Sequence, residues 1–137
     1  MQRKSVSARN INNNEAKGAR MRTHLRIMLD GEIAFGPGKA DLLDAIRDTG
    51  SISAAGKKLG MSYRRAWLLV DAMNRCFRTP LVQTAAGGVA GGGAHLSQTG
   101  AEVVAQYRVL EATVAKITDE AFAKMKPLLR KAPIPPA

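Results

Sequence analysis

The chain has 137 residues, a formal net charge of +10 and a single cysteine, Cys76. That length holds one domain with a real core or a small domain with tails, and that charge favours a partner dense in negative charge, chiefly nucleic acid or an anionic membrane surface. One cysteine excludes an internal disulfide, no stretch nears the ~20 apolar residues of a membrane span, and no apolar segment follows the N-terminal basic residues as a secretory signal requires. A cytoplasmic protein of a reducing compartment, with no membrane partner, is the consistent expectation.

The charge is unevenly placed. Residues 1–22 carry six cations and one anion, as do residues 53–78, whereas residues 23–52 carry three cations against five anions. Residues 1–22 are polar, Asn-rich and aperiodic, which predicts a disordered basic arm, lying along DNA phosphates or in a minor groove, or else merely solvated. Next, Leu25, Ile27 and Leu29 alternate with His24, Arg26 and Met28. Asp30-Gly31 then turns the chain into Glu32–Phe35, a hairpin signal. The Leu25 face, Ile33 and Phe35 are expected to rest on a helical core. His24 has no metal-ligating neighbour at suitable spacing and reads as a surface histidine.

Gly36-Pro37-Gly38 opens a helix through residues 39–48. Leu42, Leu43 and Ile46 form its inward stripe, with Lys39, Asp41, Asp44, Arg47 and Asp48 outward. Asp41 and Asp44 have the spacing of paired carboxylates, but no basic or nucleophilic partner accompanies them as catalysis would need, so they read as a solvated face. Thr49-Gly50 ends the helix, and Ser51 or Ser53 caps the next.

Residues 51–78 hold the densest signal. Gly60 sits where one helical pattern stops and another starts, as a left-handed cap does, and small Gly56 suits the closest approach of two crossing helices. This is helix-turn-helix spacing, in which the second helix enters the major groove. Ser62 is its N-cap, and Tyr63, Arg64 and Arg65 occupy the first turn, where bases and phosphates are met. Lys57 and Lys58 add charge from the preceding helix. Ala66, Leu69, Val70, Met73 and Phe77 form the buried stripe, Trp67 reads as lining the core beside Val70, and Cys76 as a small buried apolar group.

After Thr79-Pro80 the period becomes alternating. Leu81–Ala85 reads as a strand, residues 86–94 hold five glycines, and His95–Ser97 reads as a return strand. No Gly-Lys-Ser/Thr follows the glycines, so a phosphate-cradling loop is the poorer reading. A hairpin directly after a recognition helix is a wing, a loop that contacts the flanking DNA backbone or minor groove, and its glycines allow close approach. The candidate DNA-contacting residues are therefore Ser53, Lys57, Lys58, Ser62, Tyr63, Arg64, Arg65, Gly91, Gly92 and His95. A last helix, capped by Ser97 or Thr99, carries Val103, Tyr107, Leu110, Val114, Ile117 and Ala121 at spacings of 4, 3, 4, 3, 4. Such a heptad seam predicts pairing with a second copy through Val103, Tyr107, Leu110, Val114 and Ile117; the alternative is packing on its own domain. Residues 126–137 are a proline-rich basic end.

Residues 25–112 resemble the winged helix-turn-helix of ModE-type molybdenum-dependent transcriptional regulators, itself similar to LysR-type DNA-binding domains. The resemblance rests on Gly50-Ser51-Ile52-Ser53-Ala54-Ala55, on the run from Gly60 to Trp67, on Met73-Asn74, and on His95-Leu96-Ser97 with Thr99-Gly100. It implies a domain that dimerises and binds operator DNA, with Ser62, Tyr63, Arg64 and Arg65 in the groove. Regulators of this type sense molybdate with β-barrel domains after the winged helix, and nothing after residue 120 has the length for one, so molybdate binding by this chain is not expected.

The expected architecture is mainly α with small β elements: arm 1–22, winged helix-turn-helix 23–97, dimerisation helix 98–125 and tail 126–137. The expected function is a homodimeric, sequence-specific DNA-binding regulator. A winged-helix module for protein–protein contacts is the alternative. No nucleophile–base pair or metal cluster is present, so neither an enzyme nor a metal or cofactor site is expected.

Overall fold

Asp30 at φ 48° and Gly31 at φ 81° supply the left-handed pair that a two-residue hairpin turn requires. In the computed structural model, which describes residues 18–85 and 93–137, this turn joins β1 (Ile27–Leu29) to β2 (Glu32–Phe35). The register shifts between Ile27 and Met28, so the simple alternation of faces breaks there. As a result Ile27, Leu29 and Ile33 are exposed, contrary to the sequence expectation. Only Ala34 and Phe35, with half-buried Leu25, reach the core.

Pro37 occupies the first position of α1 (Pro37–Thr49), where a missing N–H costs nothing. The helix buries Ala40, Leu42, Leu43, Ala45 and Ile46 and ends at Gly50, whose φ of 70° lets its N–H reach the Ile46 carbonyl at 2.8 Å. Two expectations for the outward face fail. Lys39 is buried, its Nζ donating to the Ile33 carbonyl at 2.9 Å, and desolvation lowers its pKa. The Ile33 carbonyl lies within β2, and the lysine stem reaches it along apolar surface. Asp41 and Asp44 do have a basic partner, Arg108, whose Nη2 lies 2.8 Å from each carboxylate. Arg108 stands 67 and 64 residues away in sequence, beyond any local pattern.

The helices α2 (Ile52–Lys58) and α3 (Tyr63–Cys76) follow, then the antiparallel pair β3 (Val82–Thr84) and β4 (Ala94–Leu96), and α4 (Gln98–Met125). Ser97 caps α4: its Oγ accepts from the Gly100 N–H at 3.0 Å and donates to the Pro80 carbonyl at 2.6 Å. Its own N–H donates to the Leu81 carbonyl at 2.9 Å, so one residue ties the start of α4 to the start of β3. Gly100 is required there, because a Cβ would run into the Leu81 carbonyl.

His24–Arg108 is one compact unit, and Val109–Ala137 with the described residues up to Thr23 is a second. The core of the first is aromatic at its centre. Phe35 meets Tyr107 edge-on at 5.0 Å between ring centroids and Phe77 at 6.2 Å, and the Tyr107 hydroxyl donates to the Leu25 carbonyl at 2.8 Å. Each large apolar side chain buried here contributes about 1.5–3 kcal/mol of transfer free energy. The heptad seam of α4 therefore divides. Val103 is half-buried against this core and Tyr107 lies inside it, while in the second unit Leu110 and Ile117 are exposed and Val114 is half-buried.

Candidate nucleic-acid interface

Gly60, at φ 71°, turns the chain between α2 and α3. The Met61 N–H then folds back to the Gly56 carbonyl at 2.9 Å, closing the turn on the end of α2. A Cβ on Gly56 would lie 2.9 Å from the Ala66 Cβ, so the two helices cross at a distance only glycine permits. The Ser62 Oγ accepts from the Arg65 N–H at 3.1 Å and starts α3 directly after the turn. A short, rigid turn therefore fixes the direction in which the first turn of α3 presents its side chains.

Tyr63, Arg64 and Arg65 are exposed on that turn, with Lys57 exposed on α2. Among the described residues none of these three cations has an ion-pair partner, unlike Arg75, which is held by Glu32 and Asp71 at 2.8 and 2.9 Å. Lys58 lies 3.6 Å from Asp48 and is partly neutralised. The Ser62 hydroxyl is spent on its cap, so it positions the helix. Ser53 and His95 are exposed, with a His95 ring nitrogen 3.0 Å from Gln83 Oε1 across the wing base. Gly91 and Gly92 lie outside the described residues.

Trp67 is not in the core. It is 40% exposed and meets Tyr63 edge-on at 6.1 Å between centroids. The two are one helical turn apart, and that i, i+4 spacing was the available signal that they share a face. Together they form one wall of a cavity of about 240 Å³, lined further by Ser51, Ile52 and Ser53 of the α2 start and by Thr84, Ala85, Gly93 and Ala94 of the wing base. Cys76 is half-buried and Leu69 partly so, while Ala66, Val70 and Met73 are buried as the stripe predicts.

One positioning residue enters the sequence reading only as part of the Met73-Asn74 match, with no role attached. Asn74 Oδ1 accepts from the Leu81 and Val82 N–H groups at 2.9 and 3.1 Å, and its Nδ2 donates to the Val82 carbonyl at 3.1 Å. The ladder bonds at Ser97–Leu81 and Ala85–Gly93 put Val82, paired with Leu96, at a non-hydrogen-bonded site, so its N–H and C=O face away from β4. Asn74 completes that edge and locks α3 to the wing. The Ala94 N–H, donating to the Gly50 carbonyl at 2.8 Å, pins the other strand to the end of α1.

This arrangement is a helix-turn-helix with an attached wing. The chain is 49% identical over 83 residues to the molybdenum-pterin-binding protein MopB of Rhodobacter capsulatus, covering 61% of this chain and 31% of that protein. It is 36% identical over 98 residues to the DNA-binding transcriptional dual regulator ModE of Escherichia coli (strain K12), covering 72% and 36%. The chain is related to the ModE-type regulators. It spans about a third of the length of these ModE-type relatives. No family model matches the chain. In fold it is similar to the crystal structure of a CbnR DBD–DNA complex, with a TM-score of 0.52 at 17% identity over 64% of this chain and 95% of that one. The winged-helix architecture read from the sequence is thus the observed one, and its ModE resemblance holds.

Proposed function

We propose that the chain is a sequence-specific, DNA-binding transcriptional regulator of the ModE type that acts as a homodimer. The observation that carries this reading is the set of exposed cations Lys57, Arg64 and Arg65, without ion-pair partners among the described residues, around the first turn of a helix that a capped, glycine-locked turn holds in place. Cations left without carboxylate partners on a rigid helix start are suited to guanine edges and phosphates, and such pairs discriminate between bases by about 1–3 kcal/mol each. The names of the ModE relatives support it. The glycine-rich segment 86–94 is assigned to DNA flanking the recognition site, and molybdate is not assigned as a ligand of this chain.

The dimer rests on α4. With Val103 and Tyr107 committed to the core, the pairing stripe is Leu110, Val114 and Ile117, of which Leu110 is 47% and Ile117 62% exposed. Pairing these with a second copy removes apolar surface from water and gives a two-fold molecule, which calls for a pseudo-palindromic operator. The test is selection of bound duplexes from a random pool, followed by sedimentation of the native chain and of Leu110→Glu/Val114→Glu. A palindromic consensus with a dimeric native protein and a monomeric variant is expected. Unenriched sequence in the bound pool overturns specific binding, and a native monomer at micromolar concentration overturns the dimer.

A further inference from the structure

The cavity beside Trp67 lies between an element assigned to the major groove and one assigned to flanking DNA. On one side is the first turn of α3, and on the other the base of the wing. A duplex whose major groove takes the first and whose minor groove takes the second must pass one sugar-phosphate strand between them. The lining matches that occupant chemically. Trp67 and Tyr63 offer ring edges and faces to the apolar carbons of a deoxyribose, and the Ser53 and Thr84 hydroxyls are neutral donors of the kind that fix phosphate oxygens. The exposed cations Arg64 and Lys57 stand on the elements that line it, so the approach is attractive to a polyanion.

Its walls are fixed before anything binds. The Ala94 N–H bond to the Gly50 carbonyl, the Ala85 N–H bond to the Gly93 carbonyl at 2.9 Å and the Asn74 clamp hold the wing base against the helices. A Cβ on Gly93 would come within 3.3 Å of the Gly50 carbonyl, so this approach is already tight. The volume of about 240 Å³ falls below the ~300–1,000 Å³ usual for a free small-molecule ligand, and suits one unit of a polymer.

We propose that this cleft is a backbone clamp: it seats one nucleotide's deoxyribose against Trp67 and Tyr63, and the adjoining phosphate on the Ser53 and Thr84 hydroxyls. The proposal rests on the DNA-binding reading above. It makes Trp67, Ser53 and Thr84 determinants of affinity and register, not of base choice.

Trp67 is the chain's single tryptophan, so its emission reports this cleft alone. The full-length chain is titrated with a selected duplex and with one of unrelated sequence, binding being followed by anisotropy of a labelled duplex and Trp67 exposure by acrylamide quenching. Quenching is expected to fall in both complexes. Ser53→Ala/Thr84→Ala, both at exposed positions, is expected to bind every duplex about tenfold more weakly. The slope of affinity against salt should be unchanged in that variant, because no cation is removed, whereas Arg64→Ala should lower it by about one. Unchanged quenching in a complex that anisotropy shows to be formed overturns the clamp and leaves DNA binding standing. Wild-type affinity in the double variant, or a loss confined to the selected duplex, overturns it likewise. No anisotropy change with any duplex overturns the DNA reading and the clamp together.

Discussion

Replacing Asn74 with alanine removes three hydrogen bonds at once, two from the Leu81 and Val82 N–H groups and one to the Val82 carbonyl. Val82 is 3% exposed and Leu81 fully buried, so water reaches the freed groups poorly. Each bond is worth about 0.5–1.5 kcal/mol net, and each polar group left buried and unpaired costs about 1–3 kcal/mol. The Val82 groups have no partner on β4 to turn to, because they face away from it. With partial relaxation of the edge, the expected destabilisation is about 2–4 kcal/mol, at the upper end of what single substitutions do. For a unit of this size that lowers Tm by about 10 °C or more. Thermal melts followed by far-UV circular dichroism measure the loss, and amide exchange locates it, with Leu81 and Val82 losing protection before the body of α3. A variant within about 0.5 kcal/mol of the wild type would refute the reasoning, since it would mean the strand edge satisfies itself without the side chain.

Gly56→Ala should destabilise the unit by about 1–3 kcal/mol, because the added methyl meets the Ala66 Cβ at 2.9 Å and forces the two helices apart; chemical denaturation gives the value, and an unchanged midpoint contradicts it. Tyr107→Phe deletes the hydroxyl that donates to the Leu25 carbonyl while keeping the ring on Phe35, so a loss of about 1–2 kcal/mol is expected, with α-helical content unchanged. Burial lowers the Lys39 pKa below 10.5, so between the folded value and 10.5 the unfolded chain holds more protons and stability contributed by this group rises with pH. Lys39→Met should remove that rise, and parallel stability profiles of the two proteins in that window would show that Lys39 is not desolvated.

Turn and cap chemistry was readable in the sequence, because it is local. Asp30-Gly31, Gly50, Gly60 and the caps Ser62 and Ser97 all sit where residue type alone placed them. What required the fold was long-range. Helical periodicity points Lys39 outward, yet the carbonyl it serves belongs to β2, and Arg108 finds Asp41 and Asp44 from 67 and 64 residues away. Tyr107 fits a heptad seam as well as it fits a core, and only the neighbouring Phe35 ring and Leu25 carbonyl separate the two. Hydrophobicity alone places Trp67 inward, but it sits beside the buried stripe of Ala66 and Val70, where the wing base and Tyr63 leave it half open. Asn74 looks like an ordinary polar helix residue until the register of β3 shows two backbone groups with nowhere else to bond.

The central claim is that the start of α3 reads DNA through Arg64 and Arg65. The direct measurement is the affinity of the wild-type chain and of Arg64→Ala/Arg65→Ala for one selected duplex across a salt series, with circular dichroism confirming that both are folded. The wild type should weaken steeply as salt rises, because binding releases counterions from the phosphates it neutralises. The double variant should lose most of its preference for the selected duplex over unrelated DNA, about 1–3 kcal/mol for each contact to a base, and show a shallower salt slope. Equal affinity, preference and slope in the two proteins would contradict the assignment of this helix to the groove.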